Sequence, residues 1–109
     1  MPTKRDVVER AFRFLGVVAD DEAMTAAQEA NGTALLESLY AEMEVEAAPY
    51  WTIDDIPAGA ATFVAMALAA DLAPTYGAAA PMSRASALLR VYGTSRPDDR
   101  ETITDAEYY

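Results

Sequence analysis

The feature that most constrains the fold is an apolar run from Ala58 to Ala73, in which half of the residues are alanine. Alanine has the highest helix propensity because its side chain loses no rotamer entropy on folding. Asp71 is the only charged residue of the run, so the predicted helix is apolar on all faces and must be buried in a protein core or in a membrane. A membrane span needs about 20 apolar residues, more than this run provides. We therefore predict a buried central helix.

The residues before this helix are predicted to form a structural loop. Pro57 is expected at the first helical position, where a missing N–H costs nothing. Asp54 and Asp55 are expected to cap the helix, with a catalytic carboxylate pair as the less favoured alternative. Trp51, the only tryptophan, either closes the end of a helix bundle or is an exposed interface anchor. Pro74 is expected to end the helix.

The N-terminal segment predicts a first helix that begins after Thr3, with Asp6 at capping-box spacing, and runs to about Leu15. Gly16 is expected to end it in the left-handed conformation. The outer face is basic. It is either solvated or docks on an acidic partner or on the acidic middle of a neighbouring subunit, and its cations are Lys4, Arg5, Arg10 and Arg13.

Thr25 and Gln28 form a capping-box pair that predicts a second helix from Ala26 to about Glu46. Gly32 is expected to weaken this helix locally. The predicted buried stripe comprises Ala27, Ala30, Ala34, Leu35, Leu39 and Met43. The C-terminal half has an acidic face, either simply solvated or facing a partner, formed by Glu37, Glu42, Glu44 and Glu46.

A fourth helix is predicted to begin near Pro81 and to end at Gly93. Arg84 and Arg90 are expected to face outward. The side chains expected to face inward are Ala85, Leu88, Leu89 and Tyr92. The predicted fold is therefore an all-α bundle of about four helices in residues 1–93. Residues 94–109 are predicted to form a flexible tail, which is either a frayed terminus or a docking arm that folds on contact.

Charge is distributed unevenly along the chain, whose net charge is −10. Residues 17–80 contain no lysine or arginine and eleven acids. Nucleic-acid binding needs basic patches, so tight binding of DNA or RNA is not expected. The chain has no cysteine and no histidine, and we expect no metal site, no cofactor and no membrane segment. The absence of a signal-peptide pattern predicts a protein made in the cytoplasm.

Four segments occur in an order that is similar to one protein family. They are RDVVERAFRFLGV (5–17), TAAQEANGTALLESL (25–39), WTIDDIP (51–57) and LAADLAPTYG (68–77). Over about residues 4–93, this series resembles the head–tail connector proteins of tailed bacteriophages, the adaptor or head-completion family found also in gene transfer agents. Residues 94–109 carry no part of the resemblance.

The resemblance implies a helical subunit of a twelvefold ring that lies beneath the portal, extends the DNA channel and joins the capsid to tail or stopper proteins. The protein would then be a non-enzymatic component of the particle, at the head–tail junction, and DNA would pass through without being specifically bound. The acids Glu37, Glu42, Glu44 and Glu46 would be a subunit or channel face. The residues of the portal-binding arm would be Arg96, Arg100, Ile103, Tyr108 and Tyr109.

Two other classes of function remain open. The first is an acidic helical interaction module, such as a regulator, that binds a soluble basic partner. The second is a cell-wall hydrolase that uses two carboxylates, for which Glu46, Asp54 and Asp55 are the candidates. Adjacent Asp54 and Asp55 are poorly spaced for a general acid and a nucleophile, so the hydrolase is the less favoured of the two.

Overall fold

The computed structural model describes residues 2–19, 21–46, 49 and 51–94. These residues form four helices: α1 (Lys4–Leu15), α2 (Ala26–Glu46), α3 (Ala58–Tyr76) and α4 (Arg84–Thr94). Within the described ranges the only β pairing is an isolated bridge between Thr52 and Asp55. The predicted all-α bundle of four helices is therefore confirmed. Residues 95–109, which hold most of the predicted tail, lie outside the described residues.

Helix α3 is the centre of the bundle, as predicted. It packs most extensively against α4 and α1, and also against α2. By length and apolar composition it could cross a membrane, and half of its apolar window is buried within the bundle. Small side chains let the neighbouring helices approach closely. Its buried residues are Ala60, Ala61, Val64, Ala65, Ala67, Leu68, Ala69, Leu72 and Ala73.

Helix α1 begins and ends as its sequence predicts. The Thr3 hydroxyl accepts a hydrogen bond from the Asp6 N–H at 3.3 Å, and the Asp6 carboxylate accepts one from the Thr3 N–H at 3.0 Å. Gly16 adopts the left-handed conformation with φ 74°. The buried face that packs on α3 and α2 comprises Val7, Val8, Ala11, Phe12 and Leu15.

Helix α2 has the predicted limits and the predicted Thr25–Gln28 capping box, but the predicted buried stripe is largely wrong. Leu39 and Met43 are buried, Leu35 is half-buried, and the three alanines are exposed, namely Ala27, Ala30 and Ala34. The helix instead buries Gly32 and Leu36 with Leu39 and Met43. The physical reason is the close approach of α1 to α2 at Gly32, where an added Cβ would lie 2.4 Å from Val8 Cγ1, so the helix face without a side chain at this position packs against α1.

Both predicted ends of α3 need correction. Pro57 precedes the first helical residue, and its carbonyl accepts hydrogen bonds from the N–H groups of Ala60 and Ala61. Pro74 does not end the helix, which continues to Tyr76 and stops at Gly77 with φ 63°. A proline in the last turn removes only one hydrogen bond. The extra turn also places the Tyr76 ring edge-on against Phe12, with centroids 5.1 Å apart.

Helix α4 begins later than predicted and buries different side chains. It starts at Arg84, where the Ser83 hydroxyl accepts from the Ser86 N–H as an N-cap does. It includes Gly93, which was expected to end it, and runs to Thr94. Ala85 and Leu89 are exposed and Tyr92 is only half-buried, whereas the side chains that pack into the core are Ala87, Leu88 and Val91.

Candidate interaction surfaces

A three-residue charge cluster joins α2, α3 and α4. The Arg84 Nε atom lies 2.9 Å from Asp71 Oδ1, and a guanidinium Nη2 atom also pairs with the Glu42 carboxylate. The expectation that Arg84 simply faces outward is therefore wrong. The half-buried Asp71 needs a cationic partner, and residues 17–80 contain none. Burial raises the pKa of the Asp71 carboxyl group, and the nearby Arg84 guanidinium only partly opposes this effect.

Beside this cluster, an open groove of about 530 Å³ lies between α2 and α4. Leu89 is 70% exposed in this groove, and Glu42 and Glu46 line it from α2. Burial raises the pKa of the Tyr92 hydroxyl, and the carboxylates of Glu46 and Glu42 add to the effect. We call this feature the α2–α4 groove, and its lining is completed by Arg84, Ala85, Leu88 and Tyr92.

The four acids predicted as a subunit or channel face lie on two sides of α2. Glu42 and Glu46, four residues apart, share the side that borders the α2–α4 groove. Glu37 and Glu44, seven residues apart, share another side, where the Glu37 carboxylate lies 3.1 Å from Lys4 Nζ. They do not form one continuous surface within a single subunit. Their role toward a neighbouring subunit or a channel stays a prediction.

The basic face of α1 contacts acidic and polar groups of the same chain. Lys4 Nζ lies near Glu37, and Arg5 Nε lies 3.3 Å from Glu29. The Arg10 guanidinium donates to the Thr62 hydroxyl at 3.2 Å. Arg13 donates to the carbonyl groups of Ala19 and Glu22 and lies 3.5 Å from Glu9. This basic face therefore packs against the acidic middle of its own chain.

Trp51 closes one end of the bundle, in agreement with the first of its two predicted roles. Its side chain is buried, and the Tyr40 ring lies 5.7 Å away. The Tyr40 hydroxyl donates to the Trp51 carbonyl oxygen at 2.7 Å. Among the described residues, the buried Trp51 Nε1 has no hydrogen-bond partner.

Asp54 and Asp55 do not cap α3. The α3 N-terminus has no side-chain capping bond, because Ile56 and Pro57 stand between these acids and the first helical residue. Both side chains are exposed, and Asp54 Oδ1 lies 3.8 Å from Lys4 Nζ. Neither acid lines the α2–α4 groove, of which Glu46 forms part. The structure thus brings neither of them into a cleft with Glu46.

The predicted portal-binding residues lie outside the described residues, namely Arg96, Arg100, Ile103, Tyr108 and Tyr109. The boundary between residues 93 and 94 as a domain limit stays a prediction. Within residues 2–19, 21–46, 49 and 51–94, no group of three acidic side chains is placed to hold a metal ion.

Sequence reasoning missed two features of the surface, the charge cluster around Arg84 and the exposed Leu89 of the α2–α4 groove. The sequence contained a signal for the charge cluster, because a lone acid such as Asp71 in an apolar helix needs a cation, and Arg84 is close beyond the following turn. Leu89 carried no comparable signal, since a helix face through Ala85, Leu88 and Leu89 is as regular as one through Ala87, Leu88 and Val91.

Comparisons with models of protein families, with curated proteins and with solved structures found no match.

Proposed function

We propose that this protein is a structural head–tail adaptor, a subunit of a ring that lies beneath the portal of a phage or gene-transfer-agent particle. The ring extends the DNA channel and joins the capsid to tail or stopper proteins. The subunit acts without a cofactor and without catalysis.

The observation that carries the proposal is that the four connector-like segments form one packed unit. Phe12 of segment 5–17 contacts Tyr76 of segment 68–77. Asn31 of segment 25–39 donates to the hydroxyl of the same tyrosine at 3.3 Å. Segment 51–57 joins them where the Ile56 N–H donates to the Pro2 carbonyl oxygen, next to α1. Contacts of this kind are expected when the series of segments specifies one fold.

The distribution of charge also supports a channel function. The cations of α1 and Arg84 are engaged within the subunit. Exposed acids that form no ion pair with the described residues include Glu44, Glu46 and Asp55. Such a surface repels the phosphate backbone, so DNA can pass without adhering.

The test is assembly on the portal ring encoded by the same genome. Full-length protein is mixed with purified portal, and the mass and symmetry of the product are measured by native mass spectrometry and electron microscopy. A chain ending at Thr94, the last residue of α4, is tested in parallel. We expect full-length protein to form a twelvefold ring on the portal and the shortened chain to bind weakly or not at all.

The outcomes separate the function from the role of the tail. If both chains form the ring, the adaptor function stands and the bundle itself carries the contact. If neither chain binds portal at low or high salt, the adaptor proposal is wrong.

An acidic regulator that binds a soluble basic partner is the second candidate, favoured by the exposed acids on α2. It predicts that binding to a host protein weakens strongly with salt and that the protein is absent from purified particles.

A further inference from the structure

We propose that the α2–α4 groove is a docking site for a protein segment that presents an apolar side chain between lysine or arginine residues. The proposal goes beyond the adaptor function and does not depend on it, because it rests only on the groove.

The apolar part of the groove is formed by α4. Leu89 leaves 70% of its surface exposed, one of two large hydrophobic side chains so exposed among the described residues. It lies beside Ala85 and Leu88 in the same concave surface. An exposed leucine in a groove is a place where a partner can bury apolar area, whereas a single one on a convex surface is ordinary.

The charges around this apolar part of the groove decide which kind of protein segment can bind there. The charged groups in and beside the groove are Glu42, Glu46, Asp71 and Arg84, which leaves a net charge of −2 (three acids against one cation). Arg84 is already paired with two of the acids, whereas Glu46 on the rim forms no ion pair with the described residues and can attract a cation from a partner. A complementary segment therefore carries lysine or arginine beside its apolar residue.

The same charges disfavour other occupants. Phosphate backbones and anionic lipid surfaces are repelled by the acidic rim. Residues 95–109 of this chain carry two arginines against five acids and are themselves net negative. A second copy offers few free cations from its described residues, because Arg5 pairs with Glu29 and Arg90 lies over the Phe63 ring.

The chain provides a matched control at the end of α2. Val45 is 85% exposed and is preceded by the exposed Glu44, and neither residue lines the α2–α4 groove. The pair Val45 and Glu44 thus offers the same chemistry as Leu89 and Glu46, an apolar side chain and a carboxylate, without the groove. Any general attraction of a basic peptide to an acidic protein affects both pairs equally.

The experiment measures binding of three fluorescent peptides to full-length protein by anisotropy. The first is a short amphipathic peptide of leucine and lysine, the second replaces its lysines by glutamate, and the third replaces its leucines by glutamine. Four variants are compared with the parent protein: Leu89→Gln, Glu46→Gln, Val45→Gln and Glu44→Gln. Circular dichroism confirms that each variant is folded, and light scattering reports self-association.

We expect only the leucine–lysine peptide to bind. Leu89→Gln should weaken binding about tenfold, since most of a leucine side chain no longer becomes buried. Glu46→Gln should weaken it about two- to fivefold, as expected for one partly screened charge. Val45→Gln and Glu44→Gln should leave binding unchanged.

Three kinds of result would overturn the proposal. One is an equal loss in the Val45 and Glu44 variants, which indicates attraction without a site. Another is absence of binding, or equal binding of the leucine–glutamate peptide. The third is self-association of the parent protein that Leu89→Gln abolishes, which would identify a second copy as the occupant.

Discussion

Gly32 offers the sharpest test of how the bundle is packed. It lies in the N-terminal half of α2, where it faces α1. A Cβ atom added at this position would lie 2.4 Å from Val8 Cγ1 and 3.1 Å from Phe12 Cε2. Both Val8 and Phe12 are fully buried. The perturbation is therefore Gly32→Ala, which on helix propensity alone should stabilise the protein.

Two opposing terms decide the sign of the change in unfolding free energy. Replacing a mid-helix glycine by alanine gains up to about 1 kcal/mol of helix propensity. Overpacking of a close-packed core costs about 1–3 kcal/mol. Val8 is β-branched and strongly prefers one χ1 rotamer within a helix, so its methyl group cannot swing away cheaply. We expect the clash to prevail and the variant to lose about 1 kcal/mol of unfolding free energy.

The assay is urea denaturation followed by circular dichroism, with Gly59→Ala as the control. Gly59 is an exposed helical glycine with open space around its would-be Cβ, so its substitution should be neutral or stabilising. Val8→Ala removes the clashing methyl group. In that background Gly32→Ala should become less harmful, with a favourable coupling of about 1 kcal/mol in the double-mutant cycle. If Gly32→Ala stabilises the protein as much as Gly59→Ala, or the coupling is near zero, the close α1–α2 contact is refuted.

Three further predictions concern polar groups of the bundle. Burial raises the pKa of Asp71 above 3.8, so at a pH just above this value the folded protein retains a proton that the unfolded chain has released. The unfolding free energy of wild type relative to Asp71→Asn should therefore fall as the pH rises above 3.8. Urea titrations at several pH values measure this difference, and a difference that does not change with pH would contradict the prediction. Tyr40→Phe should lower the unfolding free energy by about 0.5–1.5 kcal/mol, because it deletes the 2.7 Å hydrogen bond to the Trp51 carbonyl oxygen. Unfolding of this variant can be followed by the fluorescence of Trp51. Arg84→Gln should lower the unfolding free energy by about 1 kcal/mol, since it leaves the half-buried Asp71 without its cation. The loss should be larger than for Lys4→Gln, which removes the cation of the exposed Lys4–Glu37 pair. Equal losses in the same urea assay would contradict a larger contribution of the Arg84 cluster to stability.

The parts of the fold that could be predicted from sequence are those set by local chemistry. The capping boxes at Thr3 and Thr25 and the left-handed Gly16 each place a helix end within a few consecutive residues. The sixteen-residue apolar run identified α3 as the buried centre for the same reason, because its composition leaves no polar face.

The parts that failed depend on contacts between helices. The alanine stripe and the leucine stripe of α2 have equally good helical spacing, and only the packing of Gly32 against Val8 shows which one is buried. Pro74 was expected to end α3, but the packing of Tyr76 on Phe12 supports one more turn. Local sequence rules limit which helix ends and faces are possible, whereas close packing between helices decides which of them form.

The candidate site follows from the charge asymmetry of the sequence once the packing is known. The acidic middle of the chain has no cation of its own, so the flanking helices supply them: Lys4 and Arg5 from α1, and Arg84 from α4. Arg84 pairs with the half-buried Asp71, because a carboxylate without a cation at this position would cost the most folding free energy. This leaves Glu44 and Glu46, at the C-terminal end of α2, without an ion pair among the described residues, with Glu46 beside the exposed Leu89. The ion pairs within the bundle thus leave unpaired acids exposed on α2, and both the proposed channel function and the proposed docking of a basic, partly apolar segment depend on these acids.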